Sequence, residues 1–300
     1  MAVFLRAFFV IGILSVSMVS WSADVAKLRY NTSVYADVKG VGFNHPEGVA
    51  CSDKSVLVVG DTGNDRLLRY ALQEETLKAE TEIKIPQLTN PIRVQMNSKG
   101  DIFALDGKQR RIVRLAPEGA FKGYLAPEGQ SPSTFVPRSF KIDKDDNIYI
   151  LDVFSGRVLV LNPEGKFQKQ INFPKEYGFF SDLAIDPKGN ILLIDSIKAR
   201  VFLAAKGSST FSPLGATLKE YLSFPTSITT DNRGIIYITD ENGAAIGILA
   251  QDGSFLGKQL SMGWNEGLLY YPSQTCMNEK GEVFIADRGN SRIQVFTLIK

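Results

Sequence analysis

Histidine and cysteine are scarce in this chain: its 300 residues include one histidine, His45, and two cysteines, Cys51 and Cys276. A c-type haem attachment needs Cys-x-x-Cys-His, which is absent from the sequence. A structural zinc site usually takes four cysteine or histidine ligands, and a catalytic zinc site commonly takes two or three histidines. These counts exclude haem attachment and histidine-rich zinc sites, and they limit a histidine-based catalytic triad to His45.

The chain also lacks an excess of charge and, beyond its N-terminus, a long apolar run. Lysine and arginine number 34 and aspartate and glutamate 32, which gives a formal net charge of +2. Nucleic-acid phosphates are bound by clustered, excess Lys and Arg, so we expect no nucleic-acid partner.

The N-terminal apolar run, residues 7–19, follows Arg6 and precedes the small residues Ser20 and Ser22. This pattern predicts a secretory signal peptide over residues 1–22, because the run is short for a membrane span. The alternative is an uncleaved N-terminal membrane anchor. We therefore expect a periplasmic or extracellular protein with no membrane span after signal removal and one domain, residues 23–300.

One block of sequence recurs six times, near residues 43–72, 88–119, 135–165, 178–207, 224–253 and 269–300. Its first anchor, usually proline, is at Pro46, Pro91, Pro137, Phe180, Pro225 and Pro272. An aspartate follows 15 residues later in every copy, and an arginine follows the aspartate by 5 residues in all copies but the fifth, where Ala245 stands. Successive aspartates are 45, 46, 43, 45 and 47 residues apart. This constant register indicates a structural repeat.

Each copy contains a run of β-branched and apolar residues, such as residues 148–151 and 235–238. Strands that are apolar on both faces must be covered on both faces, and in a propeller each blade lies between two others. The period of 43 to 47 residues fits one four-stranded blade. The sequence therefore predicts an all-β, six-bladed β-propeller of four-stranded antiparallel blades.

The block resembles the NHL repeat, which has a proline, then a Gly-x-Ile-Tyr-Ile-x-Asp run, then Arg-Ile. The clearest copy begins at Pro272 and ends at Phe296, and the resemblance covers residues 43–300. Phe180 in place of proline, Ala245 in place of arginine and Ser55 in place of glycine depart from the pattern. The resemblance implies a six-bladed propeller of the NHL-repeat family.

The recurring aspartate and arginine bracket a four-residue loop between two antiparallel strands. The aspartate can accept hydrogen bonds from loop N–H groups, and the arginine can donate back across the hairpin. We assign these residues a structural role, because similar pairs spread around a ring cannot all form one active site. The set comprises Asp61, Arg66, Asp106, Arg111, Asp152, Arg157, Asp195, Arg200, Asp240, Asp287 and Arg292.

The sixth copy ends after its third strand, at residues 294–299, so its blade needs a fourth. Residues 28–38 precede the first copy, and we predict that this segment completes the last blade and removes an open sheet edge. The ring then makes the first and last blades neighbours, with Cys51 and Cys276 on their innermost strands. We predict a Cys51–Cys276 disulfide in an oxidising compartment; the alternative is two buried free thiols.

The predicted binding site is the channel mouth, where the loops before the innermost strands meet the Asp-to-Arg loops. The candidate ligand- or partner-binding residues are Glu47, Arg93, Arg138, Asp182 and Gln274 on the inner rim and Lys108, Arg110 and Arg288 on the loops. A solvated mouth without a ligand is the alternative interpretation.

No concentrated catalytic constellation is present, so no catalytic residue is assigned. We expect an exported interaction scaffold or binding propeller with a protein partner in the cell envelope or a small-molecule ligand. We expect a monomer without cofactor or metal. The alternative is a calcium-dependent hydrolase or lyase of the six-bladed class, to which Glu47 and Asp182 could contribute, and this alternative rests on fold analogy.

Overall fold

The computed structural model describes residues 26–73, 76–129 and 134–299. Within this part of the chain, 24 strands form six four-stranded antiparallel sheets arranged as the blades of a propeller. The predicted all-β, six-bladed architecture is therefore confirmed. The predicted signal peptide, residues 1–22, lies outside the described residues.

The strands are numbered in chain order, and two short 3-10 helices, Thr62–Asn64 and Arg288–Asn290, interrupt the described chain. The strand bounds are β1 Lys27–Val34, β2 Gly48–Cys51, β3 Val56–Asp61, β4 Arg66–Gln73, β5 Thr76–Ile83, β6 Pro91–Met96, β7 Ile102–Asp106, β8 Arg111–Leu115, β9 Phe121–Tyr124, β10 Pro137–Ile142, β11 Ile148–Asp152, β12 Arg157–Leu161, β13 Phe167–Asn172, β14 Phe180–Ile185, β15 Ile191–Asp195, β16 Arg200–Ala204, β17 Ser212–Leu214, β18 Pro225–Thr230, β19 Ile236–Asp240, β20 Ala245–Leu249, β21 Phe255–Gln259, β22 Pro272–Met277, β23 Glu282–Asp287 and β24 Arg292–Ile299. In the described ranges no helix is long and apolar enough to cross a bilayer.

Blades 1 to 5 each take four consecutive strands, β2–β5, β6–β9, β10–β13, β14–β17 and β18–β21, and blade 6 takes β22, β23, β24 and β1. The first strand of each blade contacts the first strands of both neighbouring blades, so these six strands form a closed inner ring. The loops that precede these inner strands and the Asp-to-Arg loops lie at one end of the ring, which we call the mouth face. The remaining turns lie at the other end, the hairpin face.

The middle strands are apolar on both faces because every blade packs between two others. Among the described residues, six apolar clusters are found, one at each interface between neighbouring blades. Between blades 3 and 4, for example, Leu151 and Val158 pack with Leu193 and Phe202. Each fully buried side chain of this size contributes about 1.5–3 kcal/mol, so stability is distributed around the ring.

The N-terminal strand closes the ring. Strand β1 pairs antiparallel with β24, with Lys27 opposite Ile299 and Val34 opposite Ile293. This pairing completes blade 6 with a strand from the other end of the chain, as the sequence predicts.

The predicted disulfide is also confirmed. Cys51 at the end of β2 is bonded to Cys276 on β22, with a Cα–Cα distance of 5.9 Å. Because β2 belongs to blade 1 and β22 to blade 6, the bond joins the two blades across the seam that β1 closes.

Candidate functional site

A cavity of about 310 Å³ opens on the mouth face at the propeller axis. Of the eight predicted binding residues, five line this cavity: Glu47, Arg93, Arg110, Arg138 and Arg288. Lys108 lies on a neighbouring loop, where its Nζ is 3.3 Å from Asp65 Oδ1. The structure therefore brings most of the predicted set together around one opening.

Three arginines from blades 2 and 3 form the cationic side of the cavity. The Arg138 guanidinium lies 4.1 Å from the centre of the Phe179 ring, and Arg93 Nη1 donates to Ser273 Oγ at 3.3 Å. Burial lowers the pKa of Arg138, and the positive charges of Arg110 and Arg93 lower it further. The Nε atoms of Arg93 and Arg138 are buried and have no hydrogen-bond partner among the described residues.

Two carboxylates and one arginine occupy the other side of the cavity. Arg288 Nη2 donates to Glu241 Oε1 at 2.6 Å, and Arg288 Nη1 lies 3.9 Å from Glu47 Oε1. Burial raises the pKa of Glu47, although the charges of Arg93 and Arg288 oppose this shift. Arg288 is thus neutralised locally, and no ion pair to Arg93, Arg110 or Arg138 is found in the described part of the chain.

Asp182 and Gln274 lie below the rim on which the sequence places them. Asp182 is buried and accepts hydrogen bonds from Ser139 Oγ, from Ser227 Oγ at 2.8 Å and from the Ile228 N–H at 3.0 Å. Gln274 is also buried; its Oε1 accepts from Val49 N and its Nε2 donates to Val94 O. Both side chains are thus engaged by neighbouring inner strands and do not line the mouth cavity.

The hairpin aspartates all accept hydrogen bonds from backbone N–H groups of the preceding mouth-face loop. The donors to Asp61, Asp106, Asp152, Asp195, Asp240 and Asp287 are the N–H groups of Asn44, Thr89, Val136, Phe179, Phe224 and Tyr270. Each aspartate therefore fastens its own hairpin to the loop that leads into the same blade.

The arginines of these hairpins differ from blade to blade. Nε to Oδ2 ion pairs of 2.7, 2.9 and 2.7 Å join Arg66 to Asp61, Arg157 to Asp152 and Arg292 to Asp287. Arg111 instead lies 4.0 Å from the centre of the Tyr124 ring, and Arg200 Nε is buried without a hydrogen-bond partner in the described ranges. The Asp–Arg pair thus forms in blades 1, 3 and 6.

The side chains considered for calcium are both engaged by neighbouring protein groups. Asp182 has both carboxylate oxygens engaged by hydrogen-bond donors from blades 3 and 5, and Glu47 lies beside Arg288. Calcium takes six to eight oxygen ligands, and no group of three or more His, Cys, Asp or Glu residues that could hold a metal is found among the described residues.

Exposed apolar side chains concentrate on the mouth face, which sequence reasoning did not anticipate. Of the thirteen large exposed apolar side chains in the described ranges, ten lie in mouth-face loops: Tyr35, Val38, Val41, Phe154, Tyr177, Ile197, Tyr221, Met262, Trp264 and Tyr271. The other three are Phe121 and Tyr124 on the outer strand β9 and Ile299 at the end of β24. Trp264 is 76% exposed and Phe154 67%. In the sequence, these positions could have been found as large apolar residues within segments predicted to be loops.

Comparison with known proteins supports the repeat assignment. The family model of the NHL repeat matches residues 269–296, which span β22, β23 and part of β24 in blade 6. The predicted NHL-type, six-bladed propeller is thus confirmed by a repeat match and by the fold. No curated protein matches the chain by sequence.

Solved structures share the fold at low sequence identity. A gluconolactonase from Xanthomonas campestris has a TM-score of 0.68 and 13% identity, over 91% of this chain and 89% of its own. A catalytically inactive virginiamycin B lyase from Staphylococcus aureus, solved with quinupristin, has a TM-score of 0.64 and 14% identity, over 92% and 100% of the two chains. A chain of a nidogen–laminin complex has a TM-score of 0.57 and 16% identity, over 71% and 79%. At these sequence identities, the comparisons show that the chain shares the propeller fold of these structures.

Proposed function

We propose that this protein is an exported, non-enzymatic binding propeller whose mouth face engages a protein partner. The partner places a carboxylate among Arg93, Arg110 and Arg138. The observation that carries the proposal is the grouping of these three guanidinium groups around one cavity without an ion-pair partner in the described part of the chain.

The positive charges of this cluster have no ion-pair partner among the described residues, and they favour an anionic occupant. A carboxylate can accept two parallel N–H bonds from one guanidinium. Its negative charge would also relieve the repulsion that lowers the pKa of Arg138.

The apolar loops favour a protein over a small molecule. Phe154, Ile197 and Trp264 are 67%, 60% and 76% exposed and do not line the mouth cavity. A ligand confined to about 310 Å³ would leave them uncovered. Protein interfaces combine aromatic and apolar anchors with arginine, and the mouth face offers these side chains together.

Export is supported by the cysteine chemistry and by the predicted signal peptide. The Cys51–Cys276 disulfide is typical of the periplasm or the extracellular space. The partner is therefore expected in the cell envelope or outside the cell. Among the fold relatives, one is part of a nidogen–laminin complex, which is compatible with protein binding by such a propeller.

The test is site-specific photo-crosslinking in intact cells. A photoreactive phenylalanine analogue replaces Phe154 on the mouth face or, as the matched control, Phe121, which is 40% exposed on the outer strand β9. We expect one discrete crosslinked species from position 154 and none from position 121.

The arginine cluster is tested in the same assay. Arg138→Gln should reduce the crosslink at least tenfold, whereas Lys78→Gln, which removes one exposed positive charge from β5, should leave it unchanged. Equal crosslinking at positions 154 and 121, or a crosslink indifferent to Arg138→Gln, would contradict the proposal.

A further inference from the structure

A second cavity, of about 720 Å³, opens at the opposite end of the propeller axis, on the hairpin face. All six inner strands contribute to it at one register position, four residues after the first anchor of each repeat. The six residues of this ring are Ala50, Gln95, Lys141, Ala184, Thr229 and Cys276.

This cavity is separate from the arginine-lined mouth. The two share no lining residue. Buried polar side chains lie between the two openings: Asp182 accepts hydrogen bonds from Ser139 and Ser227. Gln274 bridges the backbones of β2 and β6 and is itself one of the residues that line the hairpin-face cavity. A ligand of the hairpin-face cavity therefore enters and leaves independently of any mouth-face partner.

Lys141 is the one charged residue of the ring. Its ammonium group donates no hydrogen bond to any described residue, and Asp182, the carboxylate that acts on it, is already engaged by two serine hydroxyls. Burial lowers the pKa of Lys141; the charge of Asp182 opposes this shift, and that of Arg93 adds to it. The amine thus lies beside open space with its hydrogen-bonding capacity unused.

The neighbours of Lys141 on the ring leave room and add donors. Ala50 and Ala184 end at Cβ, so they do not fill the space around the axis. The side chains of Gln95 and Thr229 line the same cavity, and no described residue is hydrogen-bonded to either of them. An ammonium, an amide and a hydroxyl therefore surround the volume.

Five carboxylates line the outer part of this cavity, those of Asp143, Asp145, Asp186, Asp231 and Glu279. Asp143, Asp186 and Asp231 each accept two backbone N–H bonds from the turn that they begin. Four lysines outside the ring, Lys144, Lys169, Lys188 and Lys206, line the cavity as well. The rim charges are therefore of both signs, whereas the ring itself carries only a positive charge.

We propose that the hairpin-face cavity binds a compact oxyanion, a carboxylate or a phosphate, through the Lys141 ammonium, with the Gln95 amide and the Thr229 hydroxyl as further donors. A partly buried cation with no hydrogen-bonded anion is unfavourable, and an oxyanion supplies both the countercharge and the acceptors. This site does not depend on the mouth-face function.

The test measures the thermal midpoint of the full chain against sodium phosphate and, separately, sodium oxalate, at constant ionic strength. We expect the midpoint to rise by about 2 °C when one of the anions reaches about ten times its Kd. A response to phosphate alone or to oxalate alone identifies which oxyanion class the site takes.

Three variants assign the response. Lys141→Met should abolish the rise, and without added anion its midpoint should equal or exceed that of the wild type, because an unpaired cation is removed. Lys99→Met, an equal charge change on the same face outside the cavity, should keep the rise. Because the mouth arginines can also take an added anion, both lysine variants are compared in the Arg138→Gln background, in which the rise that depends on Lys141 should persist and Lys141→Met should remove it.

The proposal is overturned if neither anion raises the wild-type midpoint or if Lys141→Met responds as the wild type does. A second readout is amine acylation followed by mass spectrometry. The responding anion should slow labelling of Lys141 at least threefold and leave Lys99 unaffected, and equal protection of both lysines would count against the site.

Discussion

Reduction of the Cys51–Cys276 disulfide should destabilise the protein without dismantling the propeller. In the folded state, the β1–β24 ladder and the apolar cluster between blades 1 and 6 remain when the bond is cut. The effect therefore falls mainly on the unfolded chain, which regains the freedom that a crosslink between residues 225 positions apart removes. The chain-entropy relation gives about 5 kcal/mol for a loop of this length at 25 °C.

This free energy corresponds to a measurable shift in the unfolding temperature. A chain of this size unfolds with an entropy of about 0.6 kcal/mol per kelvin near 60 °C, so a loss of about 5 kcal/mol lowers the midpoint by about 8 °C. The assay is circular dichroism during heating, with and without a thiol reductant. The Cys51→Ser/Cys276→Ser double variant should match the reduced wild type and should not respond to reductant.

A decrease of less than about 2 °C in both the reduced wild type and the double variant would refute the reasoning, because it would mean that the crosslink does not restrict the unfolded chain as this relation requires. A further decrease when reductant is added to the double variant would show that the reductant acts elsewhere. Loss of the β-sheet spectrum at room temperature on reduction would contradict the independent closure of the ring by β1.

Three further predictions concern other parts of the molecule. Arg66→Met should cost about 3–5 kcal/mol in urea denaturation, because it leaves buried carboxylates unpaired. The hydrogen bond from Arg66 lowers the pKa of Glu82. The stabilisation from this pair is therefore present above the ordinary glutamate pKa and is lost as the pH falls through the lower pKa of the folded state. In Arg66→Met, the free energy of unfolding should lack this contribution to its decrease with falling pH. Phe296→Ala, at a wholly buried position, should cost about 3–5 kcal/mol in the same assay, whereas Phe121→Ala on the exposed face of β9 should cost far less. Addition of calcium or EDTA should leave the thermal midpoint unchanged within 1 °C, and a calcium-dependent rise with hydrolysis of lactones or esters would favour the enzymatic alternative.

The fold was predictable because its signals are repeated and local. The spacing from anchor to aspartate sets the length of the first two strands and their turn, as in the stretch from Pro91 to Asp106. The count of strands left the sixth blade one short, which identified the N-terminal segment as its partner. The disulfide followed from the same closure, since it places the first and last blades side by side.

The hairpin arginines were less predictable because the aspartates have other donors available. The Asp152 Oδ2 atom accepts from Arg157. In blade 2 the equivalent oxygen of Asp106 is taken by the N–H and hydroxyl groups of Thr89, and in blade 4 that of Asp195 is taken by the N–H of Gly178. The outcome depends on the preceding loop, whose conformation no short motif specifies.

The sequence predicts at which end of the propeller the candidate residues lie, but not how deeply each side chain is buried. Arg93 and Asp182 stand at the same register position, two residues after their anchors. The long arginine side chain reaches the mouth cavity, whereas the short carboxylate is captured by serines of blades 3 and 5. This difference depends on the length of the side chain and on the residues of the neighbouring blades. The register position of a residue in its repeat specifies neither of these.

The six internal copies allow scaffold and site to be separated within one sequence. Positions occupied alike in all copies, such as the hairpin aspartates, make the same loop contacts in every blade and so belong to the scaffold. Where one blade carries a charged residue and the other blades carry small or neutral side chains, the charged residue makes no contact that recurs in every blade. Lys141 is such a residue, on a ring with two alanines, a glutamine, a threonine and a disulfide cysteine. Its ammonium group is partly buried and donates no hydrogen bond to a described residue, which is unfavourable to the bare scaffold. This is the physical reason for assigning Lys141 to a ligand and for expecting Lys141→Met to be at least as stable as the wild type when that ligand is absent.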